Sequence, residues 1–229
     1  MAKIIVTVIA CILSFPELKI SAYNQEPYII YNNGVTSEKN LPLCEKQTTA
    51  CNIVYNRFWL STMVVKLCKC LDLSECPSNW DDDQYTMHFN NRAQLKFCIK
   101  IKDLHKCNNT EVAIKVHNKK SNLPVVSLTA SIFCYCSQMH FYKLSYLDET
   151  KNELDTLTQI QHYQCLEKKT CFPQEFCGHI TVDKYEIYKV CRCPKDHICV
   201  MENLQTIQVT EPLYDGLAYE GYCTFLTDD

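Results

Sequence analysis

The sequence predicts a mainly β protein built of small disulfide-rich modules repeated two to three times, with little helix. Three observations carry this prediction. Cys44, Cys51, Cys68, Cys70, Cys76 and Cys98 are separated by 6, 16, 1, 5 and 21 residues, and Cys171, Cys177, Cys191, Cys193, Cys199 and Cys223 by 5, 13, 1, 5 and 23. Near-equal spacing over such a length marks an internal repeat. Between these blocks Cys107, Cys134, Cys136 and Cys165 hold a further Cys-x-Cys pair, as a reduced copy would. Finally, β-branched and aromatic runs of strand length lead into each Cys-x-Cys pair.

Residues 1–22 carry Lys3 ahead of an apolar run from Ile4 to Phe15 and end at Ser21-Ala22, the layout of a cleaved secretory signal. That run is too short to span a bilayer. Cys11 leaves with it, so 17 cysteines become an even set, as a fully paired disulfide framework in an exported chain requires. Losing Lys3, Lys19 and Glu17 as well moves the formal net charge from -3 to -4. An excess of acid argues against nucleic-acid binding, which needs Lys and Arg in excess on one face. The expected product is an extracellular, released monomer.

Residues 23–43 show no sustained period and are expected to form an extended or mobile amino-terminal arm. Module one spans 44–98. Ile53-Val54-Tyr55, Phe58-Trp59-Leu60 and Met63-Val64-Val65-Lys66-Leu67-Cys68 predict a hairpin ending in Cys-x-Cys. The middle module, 99–165, alternates Ile114 and Val116 with Lys115 and His117, turns around Asn118 to Pro124, and reaches Cys134-Tyr135-Cys136. It lacks a cysteine where the outer modules have Cys76 and Cys199; Tyr142 stands there. Leu147 to Gln161, with Leu154, Leu157 and Ile160 at helical intervals, is the one helix candidate. Module three, 166–229, repeats the hairpin through Ile180-Thr181-Val182 and Tyr185 to Val190 before Cys191-Arg192-Cys193.

Side chains two apart on a strand share a face, so the sulfurs of a Cys-x-Cys pair emerge side by side and suit two different partners. Spacing leaves the pairing open. Bonds are expected within modules, with one across the Cys165 boundary admissible. No metal is expected, because export favours oxidation of the thiols. At ~2 to 4 kcal/mol each, such bonds supply much of the stability of units this small.

Asn108-Asn109-Thr110 is an N-glycosylation sequon at Asn108. A basic stretch, Arg92, Lys96, Lys100, Lys102, Lys106, Lys115, Lys119 and Lys120, follows Asp81-Asp82-Asp83. Such a strip suits either a solvated strand face or an acidic channel mouth. None of the seven histidines sits in a metalloprotease or nucleophile motif. Glu167 and His179 form no recognisable acid/base pair, and no catalytic residue or cofactor is expected.

Cys68-Lys69-Cys70 through Cys76-Pro77-Ser78-Asn79-Trp80, Asn91-Arg92-Ala93-Gln94-Leu95-Lys96-Phe97-Cys98, and Cys191-Arg192-Cys193-Pro194-Lys195-Asp196-His197-Ile198-Cys199 resemble the scoloptoxin-11 family of centipede venom proteins. The resemblance implies a secreted venom toxin that binds an ion channel, such as a voltage-gated potassium channel, or a receptor of prey. Lys100, Lys115, Tyr185 and Tyr188 would supply basic and aromatic contacts. More distantly, the same modules resemble the giant-lens (Argos) antagonist of arthropods, which implies instead sequestration of an EGF-like growth factor.

Overall fold

The computed structural model describes residues 26–81, 83–101, 104–120, 127–137, 139–151 and 156–226. The leader over 1–22 lies outside the described residues. The amino-terminal arm supplies β1 (Tyr28–Tyr31), and module one holds β2 (Ala50–Tyr55), β3 (Met63–Lys66), β4 (Thr86–His88) and β5 (Ala93–Phe97). The middle module holds β6 (Val112–Lys120), β7 (Ser127–Ile132), β8 (His140–Lys151) and β9 (Leu157–Glu167). Module three holds β10 (Phe176–Thr181), β11 (Ile187–Lys189), β12 (His197–Glu211) and β13 (Tyr214–Phe225).

The sheet orders are β1-β3-β2-β5-β4, β7-β6-β9-β8 and β11-β10-β13-β12. Without β1 they are one four-stranded antiparallel sheet repeated. Each Cys-x-Cys is seated alike: its middle residue, Lys69, Tyr135 or Arg192, bridges in parallel to the residue before the module's first cysteine, Leu43, Lys106 or Thr170. The backbone N–H of Cys44, Cys107 and Cys171 donates to Lys69, Tyr135 and Arg192 at 2.9, 3.1 and 2.8 Å. The sulfurs then diverge. Cys68, Cys134 and Cys191 bond Cys44, Cys107 and Cys171, while Cys70, Cys136 and Cys193 bond Cys98, Cys165 and Cys223. The outer modules add Cys51–Cys76 and Cys177–Cys199.

The place of that last bond in the middle module is visible in the register. Cys51 and Cys177 each sit in a β-bulge, between Ala50 and Asn52 and between Phe176 and Gly178, and the matching bulge between Val112 and Ile114 holds Ala113. A bulge re-aims one side chain out of the alternation. Across the sheet, Tyr142 pairs with Cys165 as Cys199 pairs with Cys223. With alanine opposite, the Tyr142 ring stacks on Phe89 of module one at 5.2 Å. An internal staple has been exchanged for a contact between modules. The Ala113→Cys/Tyr142→Cys variant is therefore expected to form a ninth disulfide and leave no free thiol on unfolding without reductant. Two free thiols would show that the repeats are not in this register.

Two segments depart from the sequence reading. The described residues of the helix candidate are strand: Leu147 pairs with Gln161 and Lys151 with Leu157 as β8 and β9, and Leu154 lies outside the described residues. The buried face of β9 carries Gln159 and Gln161 ahead of Tyr163 and Cys165, so hydropathy concealed the two-residue period. Gln161 is satisfied inside by the Tyr163 hydroxyl at 3.0 Å. Phe58-Trp59-Leu60 is the loop between β2 and β3 rather than part of a strand. The amino-terminal arm is docked: β1 runs parallel to β3, and buried Asn32 donates to Leu128 O at 2.7 Å and accepts from Leu128 N at 2.9 Å in the middle module.

Module one and the middle module share one core, with Ile53, Leu67, Leu95 and Phe97 continuous with Ile114, Val116, Ile132 and Tyr163. The buried cluster of module three is made of Cys171, Cys177, Cys191, Cys199 and Cys223 with Ile187 and Val190 packed against it, and Ile180, Val209 and Ala218 are buried outside that cluster. Its backbone must also come close: at Gly178, φ +152°, a Cβ would lie 2.2 Å from Tyr188 O. One member of the basic stretch is withdrawn from the surface. Lys96 is 0% exposed and its Nζ meets the Asp81 carboxylate at 2.7 Å and Thr86 Oγ1 at 2.6 Å, so it is an internal strut.

Candidate ligand-binding surface

The turn between β4 and β5 is closed by Asn90, whose Oδ1 accepts from the Arg92 and Ala93 N–H groups, both at 2.8 Å. Asparagine suits such turns because its side chain imitates a backbone acceptor. The same residue reaches module three, where its Nδ2 donates to Glu186 Oε1 at 2.8 Å. Next to it, Asn91 Oδ1 accepts from Ile187 N at 2.8 Å. Phe89 packs edge-on to Tyr188 at 6.3 Å while stacking on Tyr142, so one short turn touches all three modules.

Glu186 is 2% exposed at this seam. Its surroundings are polar: Lys184 Nζ lies 3.9 Å from Oε2, and the Tyr188 hydroxyl stands 3.5 Å from Oε1. Burial pushes its carboxyl above the ordinary value of 4.5, against the Asn90 hydrogen bond and the Lys184 ammonium, which favour the charge. Burial, then the Glu186 charge, likewise raises the Tyr55 and Tyr188 hydroxyls. A carboxyl raised in the folded state contributes stability that is complete below its unfolded pKa and lost as pH rises through the folded one. Glu186→Gln keeps the acceptor for Asn90 and removes the charge. It is expected to melt increasingly above wild type as pH is raised from about 4.5 toward neutrality. A difference in melting temperature that does not change with pH would show that Glu186 is not the titrating group.

Above the seam lies an aromatic lip. Arg57 Nε donates to Ser61 O at 2.9 Å, closing the β2–β3 loop, and its guanidinium lies over the Tyr28 ring at 5.5 Å. Arg92 lies over Phe58 at 3.3 Å, and Phe58 meets Tyr185 edge-on at 6.1 Å. At the tip Trp59 is 97% exposed, with φ +59°. A left-handed backbone costs an L residue about 1–2 kcal/mol. Such strain is characteristic of functional loops. Tyr185 shares this conformation at φ +55°. Phe58, Trp59, Leu60, Met63, Tyr185 and Met201 surround a cleft of about 780 Å³.

At the seam Phe89, Tyr142, Leu144, Tyr188, Lys168 and Lys189 also line an open cavity of about 660 Å³ between the modules.

The residues singled out in the sequence are dispersed. Tyr185 belongs to the lip, and Tyr188 to the seam, where its hydroxyl donates to Pro212 O at 3.1 Å. Lys100 follows β5, exposed, at the start of the middle module. Lys115 lies on β6 with His105, Glu111, Phe133 and His162 around a shallow cavity of about 390 Å³. Burial, then the Lys115 ammonium, holds His117 and His162 below the usual imidazole value. Asn108 is exposed and its Oδ1 accepts from Thr110 Oγ1 at 2.8 Å. His179 has an acid partner after all: its Nδ1 stands 2.6 Å from Glu211 Oε1, a residue 32 positions on. The close sulfur triplets, such as Cys51, Cys70 and Cys98, consist of disulfide-bonded cysteines.

Sequence reasoning missed Trp59, Asn90, Asn91 and Glu186 as seam and lip residues. Three consecutive large apolar residues, Phe58-Trp59-Leu60, between Arg57 and Ser61 were the available signal, read as strand instead.

No family model and no curated protein matches the chain. Among solved structures it is similar to the crystal structure of unliganded Argos, at 21% identity and a TM-score of 0.56, over 89% of this chain and 100% of that one. The likeness shows a shared fold and supports the more distant of the two resemblances; nothing found supports the scoloptoxin-11 one. The eight disulfides among the described residues are of the kind that form and persist in oxidising, extracellular compartments.

Proposed function

We propose that this chain is a secreted binding protein that sequesters a protein ligand, an EGF-like growth factor in the reading taken from its likeness to Argos, and that the aromatic lip is the centre of the contact. The observation that carries the proposal is Trp59, 97% exposed and held in strained backbone between two arginine clamps. Tryptophan and tyrosine dominate protein interfaces because they bury a large area with few rotors to freeze. A disulfide-bound frame presents them already ordered, which lowers the entropic cost of association. The function needs no turnover and no cofactor.

The test is surface capture of a panel of secreted EGF-like domains by the full-length exported protein. Submicromolar, saturable binding of at least one domain is expected. Block of a voltage-gated potassium current without capture of any domain would overturn sequestration and assign the protein to the channel-directed venom toxins. Neither result, together with hydrolysis of a broad substrate panel, would overturn the binding-protein reading itself.

A further inference from the structure

We infer that the cavity between the three modules is a binding site for a small amphipathic anion, an aliphatic or aromatic carboxylate or sulfonate. Its apolar body would lie against Phe89, Tyr142, Leu144 and Tyr188 and its acidic group at Lys168 and Lys189. The site is separate from the lip and does not depend on the sequestration proposal, since Trp59 does not line it.

Size is the first argument. A volume of about 660 Å³ falls in the range of small-molecule sites, roughly 300–1,000 Å³. The wall is the second. Phe89 and Tyr142 are stacked and Tyr188 stands edge-on to Phe89, forming a rigid apolar surface contributed by all three modules. Tyr142 lies there because the middle module has Ala113 in place of the bulge cysteine, so the feature that distinguishes this repeat also builds the wall.

Charge is the third argument. Lys143, Lys168 and Lys189 line the cavity, and Glu211 is the one carboxylate among its lining residues. That carboxylate is engaged by His179 at 2.6 Å. Among the described residues none of the three lysines has a carboxylate within ion-pair distance. Lys168 is half-buried, and burial, then the neighbouring Lys189 and Arg192 cations, lowers its pKa. The Arg192 guanidinium donates to the Met139 thioether at 3.7 Å. Cations gathered beside an apolar wall and left unpaired gain from an anion that also fills the wall. A cationic or neutral amphiphile would lack that gain.

The probes are anilinonaphthalene sulfonate, followed by its fluorescence, and dodecanoate and dodecylammonium as competitors, on the full-length secreted protein. Saturable binding of one dye per chain is expected, displaced by dodecanoate and not by dodecylammonium. Lys168→Met/Lys189→Met, which keeps side-chain bulk, is expected to weaken dodecanoate at least about tenfold, and Lys168→Arg/Lys189→Arg to retain it. Equal displacement by the two competitors, no saturable binding, or undiminished affinity in the methionine variant would overturn the site. The competitor contrast needs only the wild-type protein, so a variant that failed to fold would not shield the proposal.

Discussion

Trp59→Gly is expected to weaken capture of the protein ligand by at least about thirtyfold while leaving the melting temperature unchanged or higher. An anchoring tryptophan at the centre of an interface typically contributes about 2 kcal/mol or more when truncated, which is the stated factor. The folded state loses nothing comparable, because the side chain is 97% exposed. The backbone meanwhile gains, since φ +59° is open to glycine and strained for tryptophan. Opposite signs for stability and binding are the signature of strain kept for function. A fall of several degrees would make Trp59 a structural residue, and undiminished capture would move the binding site away from the lip.

Removing the bulge disulfide from module three is expected to be far more damaging than removing its equivalent from module one. Each bond closes a loop of similar length, 22 residues for Cys177–Cys199 and 25 for Cys51–Cys76. Loop entropy alone therefore predicts about 3 kcal/mol for either. What differs is the remainder. Module one keeps Ile53, Leu67, Leu95 and Phe97 in a core continuous with its neighbour, and the middle module already stands with Ala113 at that place. The buried cluster of module three is its cysteines. Cys51→Ala/Cys76→Ala is expected to fold and melt cooperatively at lower temperature, whereas Cys177→Ala/Cys199→Ala is expected to leave residues 166–229 open to proteolysis. Equal proteolytic resistance in the two variants would show that the cystine cluster is not what holds module three.

Much of the fold was legible because covalent geometry leaves regular traces. A Cys-x-Cys pair at the end of a β-branched run implies two sulfurs on one face of a strand, and repeating that ruler implies repeated sheets. The helix candidate failed for a local reason. Gln159 and Gln161 face inward, paired with Glu149 and Tyr163, so polarity ran opposite to burial. Lys96 misled in the same way, since a lysine satisfied by Asp81 and Thr86 reads in sequence as surface charge.

The candidate site was barely legible. Trp59 read as strand because three apolar residues in a row have strand length, and the Arg92 that lies over Phe58 comes from the distant turn between β4 and β5. Asn90 and Glu186 are 96 positions apart, as are Asn32 and Leu128. No period or spacing encodes such pairs.

The sequence by itself determined the modules, the strands that end in paired cysteines and the missing staple at Tyr142, because hydropathy and covalent spacing act over a few residues. Only the tertiary structure decided how the modules meet, that Tyr142 turns to Phe89, and that a buried carboxylate, an aromatic lip and a cationic cavity lie along one seam. Those arrangements depend on contacts between side chains far apart in the chain, whose energies exist only once the sheets have packed.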